Sequence, residues 1–259
     1  MPDNAKSASK MPQKILHLVA YLLLILCFAA VAIIFSQLIV GLLMIPIIGM
    51  DNFTQPVWTA VYSALSYVLA MIIIIIVPNL IAPKIKHLKK FDWADLGFNR
   101  LPTWTDIGLA PVAFIVYAVL AAVIVWLFSF FPWFDAEQAQ DVGFNVLTSG
   151  LDRVVAFMTL VVVAPIAEEI IFRGWLYAKL KYRFLRNCSE RTAIILSTLL
   201  VSVLFGALHM QWNVGVNVFV MSLVMCALRE INGTIYAGIL MHMLKNGVAF
   251  YILYMLGIG

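Results

Sequence analysis

The stretch "APIAEEIIFRGW", residues 164–175, sets two adjacent glutamates and an arginine inside an apolar run, just after a proline. The chain around it is 64% hydrophobic and 12% charged over 259 residues, with a mean hydropathy of +1.00. Soluble domains carry about half apolar and about a quarter charged residues, so this composition places the chain in a bilayer. The apolar runs are long and continuous, near the ~20 residues that cross a ~30 Å hydrocarbon core as a helix. They lack the short alternating segments of a membrane barrel. A charge at the centre of a membrane helix costs about 2.5–3.5 kcal/mol on insertion scales. Glu168, Glu169 and Arg173 therefore face the protein interior or a wet cavity, not lipid.

Working outward, seven spans are expected over 15–48, 57–82, 107–131, 153–180, 191–209, 213–229 and 234–256, an all-α polytopic protein with a buried cavity. The first is over-long and is expected to tilt, kink near Pro46 or end at the interface. No repeat or linker divides the chain, so residues 1–259 form a single membrane domain. Residues 1–149 carry spans without motifs, and 150–250 hold the polar core. Basic residues cluster before span one (Lys6, Lys10, Lys14), in "KIKHLKK" after span two, and after span four (Lys179, Lys181, Arg183, Arg186, Arg191). Acidic residues (Asp135, Glu137, Asp141, Asp152) follow span three. The positive-inside rule then sets the N-terminus in the cytoplasm and the C-terminus outside.

The same placement explains the pI near 9.0 without nucleic acid. The N-terminal apolar run has no small-residue cleavage site and reads as a retained span. Cys27, Cys188 and Cys226 are scattered and form neither a disulfide framework nor a zinc motif. Trp58, Trp104, Trp126, Trp133 and Trp212 fall near span ends, as interfacial anchors do. His17 and His87 lie near a span end and in a basic loop and carry no function here. Asn213 and Asn217 either line a cavity or pack.

Helical spacing sorts the remaining polar residues. Glu169 and Arg173 are four apart with the acid first, the favourable orientation for an ion pair. Glu168 is rotated ~100° from Glu169 and projects elsewhere. Phe205 and His209 share one face, and His242 and Asn246 share another. Pro165 cannot donate to the carbonyl of Val161, so a local opening is expected before the glutamates. If span four runs on through "FRGWLYAKL", with Lys179 and Lys181 snorkelling to the inner surface, Glu168 comes to a depth of ~20 Å. That depth matches His209, so a carboxylate, two imidazoles and an amide can converge on one cavity.

These residues resemble a known family. "EEIIFRGWLYAKL" is similar to its EExxxR motif, "LFGALH" to its FxxxH motif, and "NGTIYAGILMHMLKN" to its HxxxN motif with the preceding T-I-Y element. In this order they resemble the CPBP family of CAAX-processing and bacteriocin-processing intramembrane proteases, also called Abi and including the Rce1-like glutamate proteases. "DLGFNRLPTWTDI" resembles a common upstream segment. The resemblance implies an endopeptidase in which Glu168, helped by His209, acts as general base on water. His242 and Asn246 match oxyanion-binding positions, and Glu169, Arg173 and Phe205 match supporting ones. A desolvated carboxylate suits proton transfer near neutrality, and peptide hydrolysis needs donors at the developing oxyanion. No GxSxG serine site and no cysteine beside a motif histidine is present.

Alternatives stay open. Glu168, His209 and His242 form a His₂Glu set of the kind that binds catalytic zinc, although no HExxH occurs and the reading calls for no cofactor. A non-catalytic relative that binds a partner protein as a membrane scaffold or sensor is the second reading. A proton-conducting channel or transporter lacks the paired interrupted segments such proteins show. The expected partners are the lipid bilayer and a membrane-associated peptide or protein substrate. Prenylated CAAX proteins, bacteriocin maturation and self-immunity all lie within the family's range. Short loops and compact length point to a prokaryotic membrane, and the oligomeric state is not legible.

Overall fold

The computed structural model describes residues 3–84, 90–135, 147 and 149–257, with side chains from residue 16 onward. The expectations for Lys6, Lys10, Lys14, His87, Glu137 and Asp141 lie outside what is described. Among the described residues there is no strand.

Helix α1 spans Asp3–Ile48 and passes through Pro46 before stopping two residues later. A single turn, α2 (Met50–Phe53), follows, and α3 (Pro56–Ile81) starts with proline at its first position, where the missing N–H costs nothing. Helix α4 (Trp104–Phe128) begins at a Thr103–Asp106 cap.

The fourth span is one continuous helical rod from Gly150 to Leu185. It is built of α5 (Gly150–Phe157), a π-helical stretch Met158–Val163, α6 (Ala164–Glu169), a second π-helical stretch Ile170–Leu176, and α7 (Tyr177–Leu185). Ser149 starts it with a reciprocal cap: its amide donates to Asp152 Oδ2 at 2.9 Å and its Oγ accepts from Asp152 N at 3.0 Å. The continuation through "FRGWLYAKL" is as expected, and it carries the glutamates well inside the rod. Two π-helical stretches flank them; wide turns of this kind are concentrated at functional sites. Helices α8 (Glu190–Ala207), α9 (Trp212–Asn232) and α10 (Tyr236–Phe250, extended by a π turn Tyr251–Met255) complete the chain.

Among the described residues, six helices are long and apolar enough to cross a membrane: the first, second, third, fourth, fifth and sixth of the expected spans. The seventh, α10, is more polar because it carries His242, Lys245 and Asn246. Helix α8 ends at Ala207, so His209 sits in the turn beyond the helix and not within the fifth span. The chain is an all-α integral membrane protein with about seven spans.

Helix α1 packs on α3, α8 packs on both α7 and α9, and α4 lies against α9 and α10. The core runs through Tyr177, Phe205, Met221, Met225 and Met241. Leu42, Leu120 and Val123 are among many large apolar side chains left on the outer surface, where lipid would cover them. Helices α8 and α9 approach closely through facing glycines. A Cβ on Gly206 would stand 2.6 Å from the Gly215 carbonyl oxygen. Small residues permit backbone approach of this kind between membrane helices.

Candidate active site

The glutamates of the opening stretch part company. Glu169 and Arg173 are 0% and 1% exposed and pair at 2.8 Å across one helical turn. The Arg173 guanidinium lies 4.2 Å from the centre of the Phe205 ring, a cation–π contact strengthened by desolvation. Neither residue lines the central cavity, whereas Glu168 does.

That cavity measures about 640 Å³. Glu168 from α6, His209 from the turn after α8, and His242 and Asn246 from α10 all line it, so the four residues singled out from sequence reach one space. Asn213 and Asn217 also reach it. Asn217 accepts a hydrogen bond from the Tyr117 hydroxyl, and Asn213 donates to the Asp135 carbonyl.

The orientation of each ring follows from its backbone or carboxylate partner. His209 Nδ1 lies 2.8 Å from the Phe205 carbonyl oxygen. A carbonyl only accepts, so Nδ1 carries the hydrogen and Nε2 is left with its lone pair. His242 is 3% exposed and spans both glutamates, with Nδ1 3.1 Å from Glu169 Oε1 and Nε2 3.7 Å from Glu168 Oε2. Glu169 thus serves two roles, as partner of Arg173 and as anchor of His242. The contact between His242 and Glu169 was not foreseen in the sequence.

Asn246 is held by the consequence of Pro165. The Ala164 amide bonds to the Thr159 carbonyl, the wide π register. In that register residue 165 would serve Leu160, but proline has no N–H. The Leu160 carbonyl takes its hydrogen bond from Asn246 Nδ2 instead, at 2.8 Å. The expected opening before the glutamates is real, and it is where α10 docks.

Two cavity residues were missed. Tyr67 of α3 faces the Glu168 carboxylate within reach of a side-chain hydrogen bond; it lies in a span without a motif. Lys245 of α10 also lines the cavity. Its signal was visible, a lysine inside an apolar helix three residues after His242.

A third feature holds the site from outside. Asp106, fully buried, accepts from Arg100 at 2.6 and 3.0 Å, from the Thr103 amide and hydroxyl at 2.7 and 2.9 Å, from Thr234 at 3.1 Å, and from Asn232. Asn99 Nδ2 donates to the Gly233 carbonyl at 3.2 Å, and the Ile235 amide donates to the Gly97 carbonyl at 3.3 Å. "DLGFNRLPTWTDI" and "NGTIY" are therefore one knot that fixes the start of α10.

Among the described residues, no group of three His, Cys, Asp or Glu side chains is arranged to hold a metal ion. Cys27, Cys188 and Cys226 are free thiols.

With this geometry stand the comparisons. Residues 150–248 match the family model described as type II CAAX prenyl endopeptidase Rce1-like. No curated protein and no solved structure matches the chain. The chain is an integral membrane protein whose residues 150–248 match an Rce1-like endopeptidase domain of the CPBP family. The matched stretch contains Glu168, His209, His242, Lys245 and Asn246 but not Tyr67 or Asp106.

Proposed function

We propose that the protein hydrolyses a peptide bond of a membrane-associated protein or peptide with water activated in the central cavity. Glu168 is the general base. It lines the cavity at 14% exposure, while its neighbour Glu169 is committed to Arg173 and His242. His209 presents the Nε2 lone pair as a second acceptor for the attacking water. Proton transfer of this kind contributes about 10²–10⁴-fold. Asn246 has one amide hydrogen left after serving Leu160, and His242 becomes a donor at Nε2 on protonation; these two face the oxyanion. The Glu169–Arg173 pair holds His242 and does no chemistry.

The observation that carries this reading is the separation of the adjacent glutamates, one sealed in an ion pair and the other open to a cavity shared with two imidazoles and an amide. A partner-binding scaffold has no need of that division. Substrates approach from the bilayer of a prokaryotic cell, with the N-terminus of the protease cytoplasmic and its C-terminus outside.

The test compares new protein N-termini in cells expressing the wild type and Glu168→Ala, repeated with a chelator. Termini present only with the wild type are expected. Identical profiles would sink the protease reading in favour of a scaffold, and loss of the wild-type termini on chelation would show that cleavage depends on a metal ion.

A further inference from the structure

The motif residues spend most of their hydrogen-bond donors within the fold. An oxyanion needs preorganised donors or positive charge where negative charge develops. The Nδ1 hydrogen of His209 is given to the Phe205 carbonyl and that of His242 to Glu169. Both rings, when neutral, turn lone pairs toward the cavity. Asn246 has given one of its two amide hydrogens to Leu160. The Tyr67 hydroxyl is directed at Glu168. The motif residues thus offer, in the resting site, a single free amide hydrogen.

Lys245 fills that gap. It lines the cavity, where Glu168 is the one carboxylate and Lys245 the one ammonium among the lining residues. It follows His242 by three residues and precedes Asn246, so all three share one face of α10. Among the described residues, it makes neither an ion pair nor a hydrogen bond, and it shares the cavity with Glu168. A lysine inside a membrane helix is costly, and such residues belong to functional sites by default.

We propose that Lys245 is a further catalytic residue, whose ammonium faces the carbonyl oxygen of the scissile bond and stabilises the oxyanion as Glu168 takes the proton from water. The balance is simple: the water oxygen bonds to the carbonyl carbon, its proton goes to Glu168, and the carbonyl electron pair moves onto the oxygen beside Lys245. Collapse breaks the C–N bond and returns the proton to the leaving amine. Lys245 keeps its protons throughout. Its placement on the turn between His242 and Asn246 lets one helix carry every oxyanion contact.

The inference rests on the hydrolytic reading above, and one experiment separates the two. Purified full-length wild type, Glu168→Gln, Lys245→Met, Lys245→Gln and Lys245→Arg are reconstituted in liposomes with solubilised membrane proteins. Fragments that depend on Glu168 define a cleavage site, and a synthetic peptide spanning it serves for kinetics. Lys245→Met is expected to lower kcat by about 10²–10³-fold, the usual loss of one oxyanion donor, with KM within about threefold. Lys245→Arg, which keeps the charge, is expected to recover at least tenfold of that loss. Thermal melting in detergent checks that each variant is folded, and Lys245→Gln replaces Lys245→Met if the latter is not.

The pH profile distinguishes direct action from action through the base. Glu168 is faced by Tyr67 from α3, His209 from the turn after α8, and His242 and Lys245 from α10. Direct action lowers the plateau of kcat/KM, whether or not the acidic limb also moves. A wild-type kcat in a folded Lys245→Met protein overturns the assignment, as does a loss carried by KM. An acidic limb moved to higher pH with the plateau intact also overturns it. Absence of any Glu168-dependent fragment overturns the hydrolytic reading, and this inference with it.

Discussion

His242 touches both glutamates of the motif, through Nδ1 to Glu169 at 3.1 Å and through Nε2 toward Glu168 at 3.7 Å. One imidazole thereby joins a sealed ion pair to an open cavity. The charge of Glu169 is shared between Arg173 and His242, so its removal strands a guanidinium that is 1% exposed.

Glu169→Ala is therefore expected to destabilise the fold by about 3–5 kcal/mol, the cost of breaking a buried pair from one side. The double variant Glu169→Ala/Arg173→Met removes both charges and is expected to recover at least half of that loss. Glu168→Gln, at a cavity wall, is expected to change stability by less than about 1 kcal/mol and to abolish cleavage. Denaturant titration in detergent micelles gives all three values. Equal losses for Glu168→Gln and Glu169→Ala would remove the division of labour between them.

Asn246 and Pro165 are expected to be energetically coupled. Asn246→Leu leaves the half-buried Leu160 carbonyl unpaired, which costs about 1–3 kcal/mol. Pro165→Ala supplies an amide that can reach Leu160 in the π register. In the double variant the stability cost of Asn246→Leu should shrink by at least about 1 kcal/mol, a coupling of ordinary size for contacting residues. Cleavage should stay lost, because the amide hydrogen facing the cavity is gone. A double-mutant cycle with additive stabilities would show that Leu160 has another donor.

The spans and the motif faces were legible in the sequence because both rest on local periodicity. The length and hydropathy of each run set the membrane helices, and i, i+4 spacing alone paired Glu169 with Arg173. The continuation of the fourth span through Lys179 could be argued from depth. Contacts between distant segments were not legible. Nothing local ties Tyr67 to Glu168, or Asp106 to Thr234, and these contacts depend on how α3 and α4 pack. The Asn246–Leu160 bond needed the register of a π turn, which a proline announces only as an opening. Lys245 was legible in principle. It is a lone cation in an apolar run, between His242 and Asn246.

The glycines of the site are expected to separate stability from activity. A Cβ on Gly238 would lie 3.2 Å from Glu169 Oε2, and one on Gly206 would meet the Gly215 carbonyl oxygen at 2.6 Å. Alanine at Gly238 gains about 1 kcal/mol of helix propensity and displaces a carboxylate that can shift slightly. Its stability should stay within about 1 kcal/mol of wild type while kcat falls, because His242 moves with Glu169. At Gly206 the obstacle is backbone, and Gly206→Ala should cost about 1–3 kcal/mol. Melting temperatures and kcat measured on the same two proteins test the contrast; the reverse ranking would mean that α8 and α9 separate readily.

The Asp106 knot sets the position of α10 without touching the cavity, and so offers a test of positioning at a distance. Asp106 is fully buried beneath five donor groups, whereas the Arg100 side chain is 33% exposed. Asp106→Ala leaves Thr234 and Asn232 without their acceptor and is expected to cost about 3 kcal/mol, from several hydrogen bonds to one charged group. Arg100→Met strips the buried carboxylate of its counter-ion but leaves its four other donors, and is expected to cost about 1–3 kcal/mol. Because Thr234 and Ile235 precede the helix that carries His242, Lys245 and Asn246, Asp106→Ala should lower kcat even well below its melting temperature. Arg100→Met should lower it far less. Hydrogen exchange over residues 232–246 supplies the structural readout, with faster exchange expected in Asp106→Ala. Unchanged exchange there, together with lost activity, would transfer the role of Asp106 from positioning α10 to some other part of the fold.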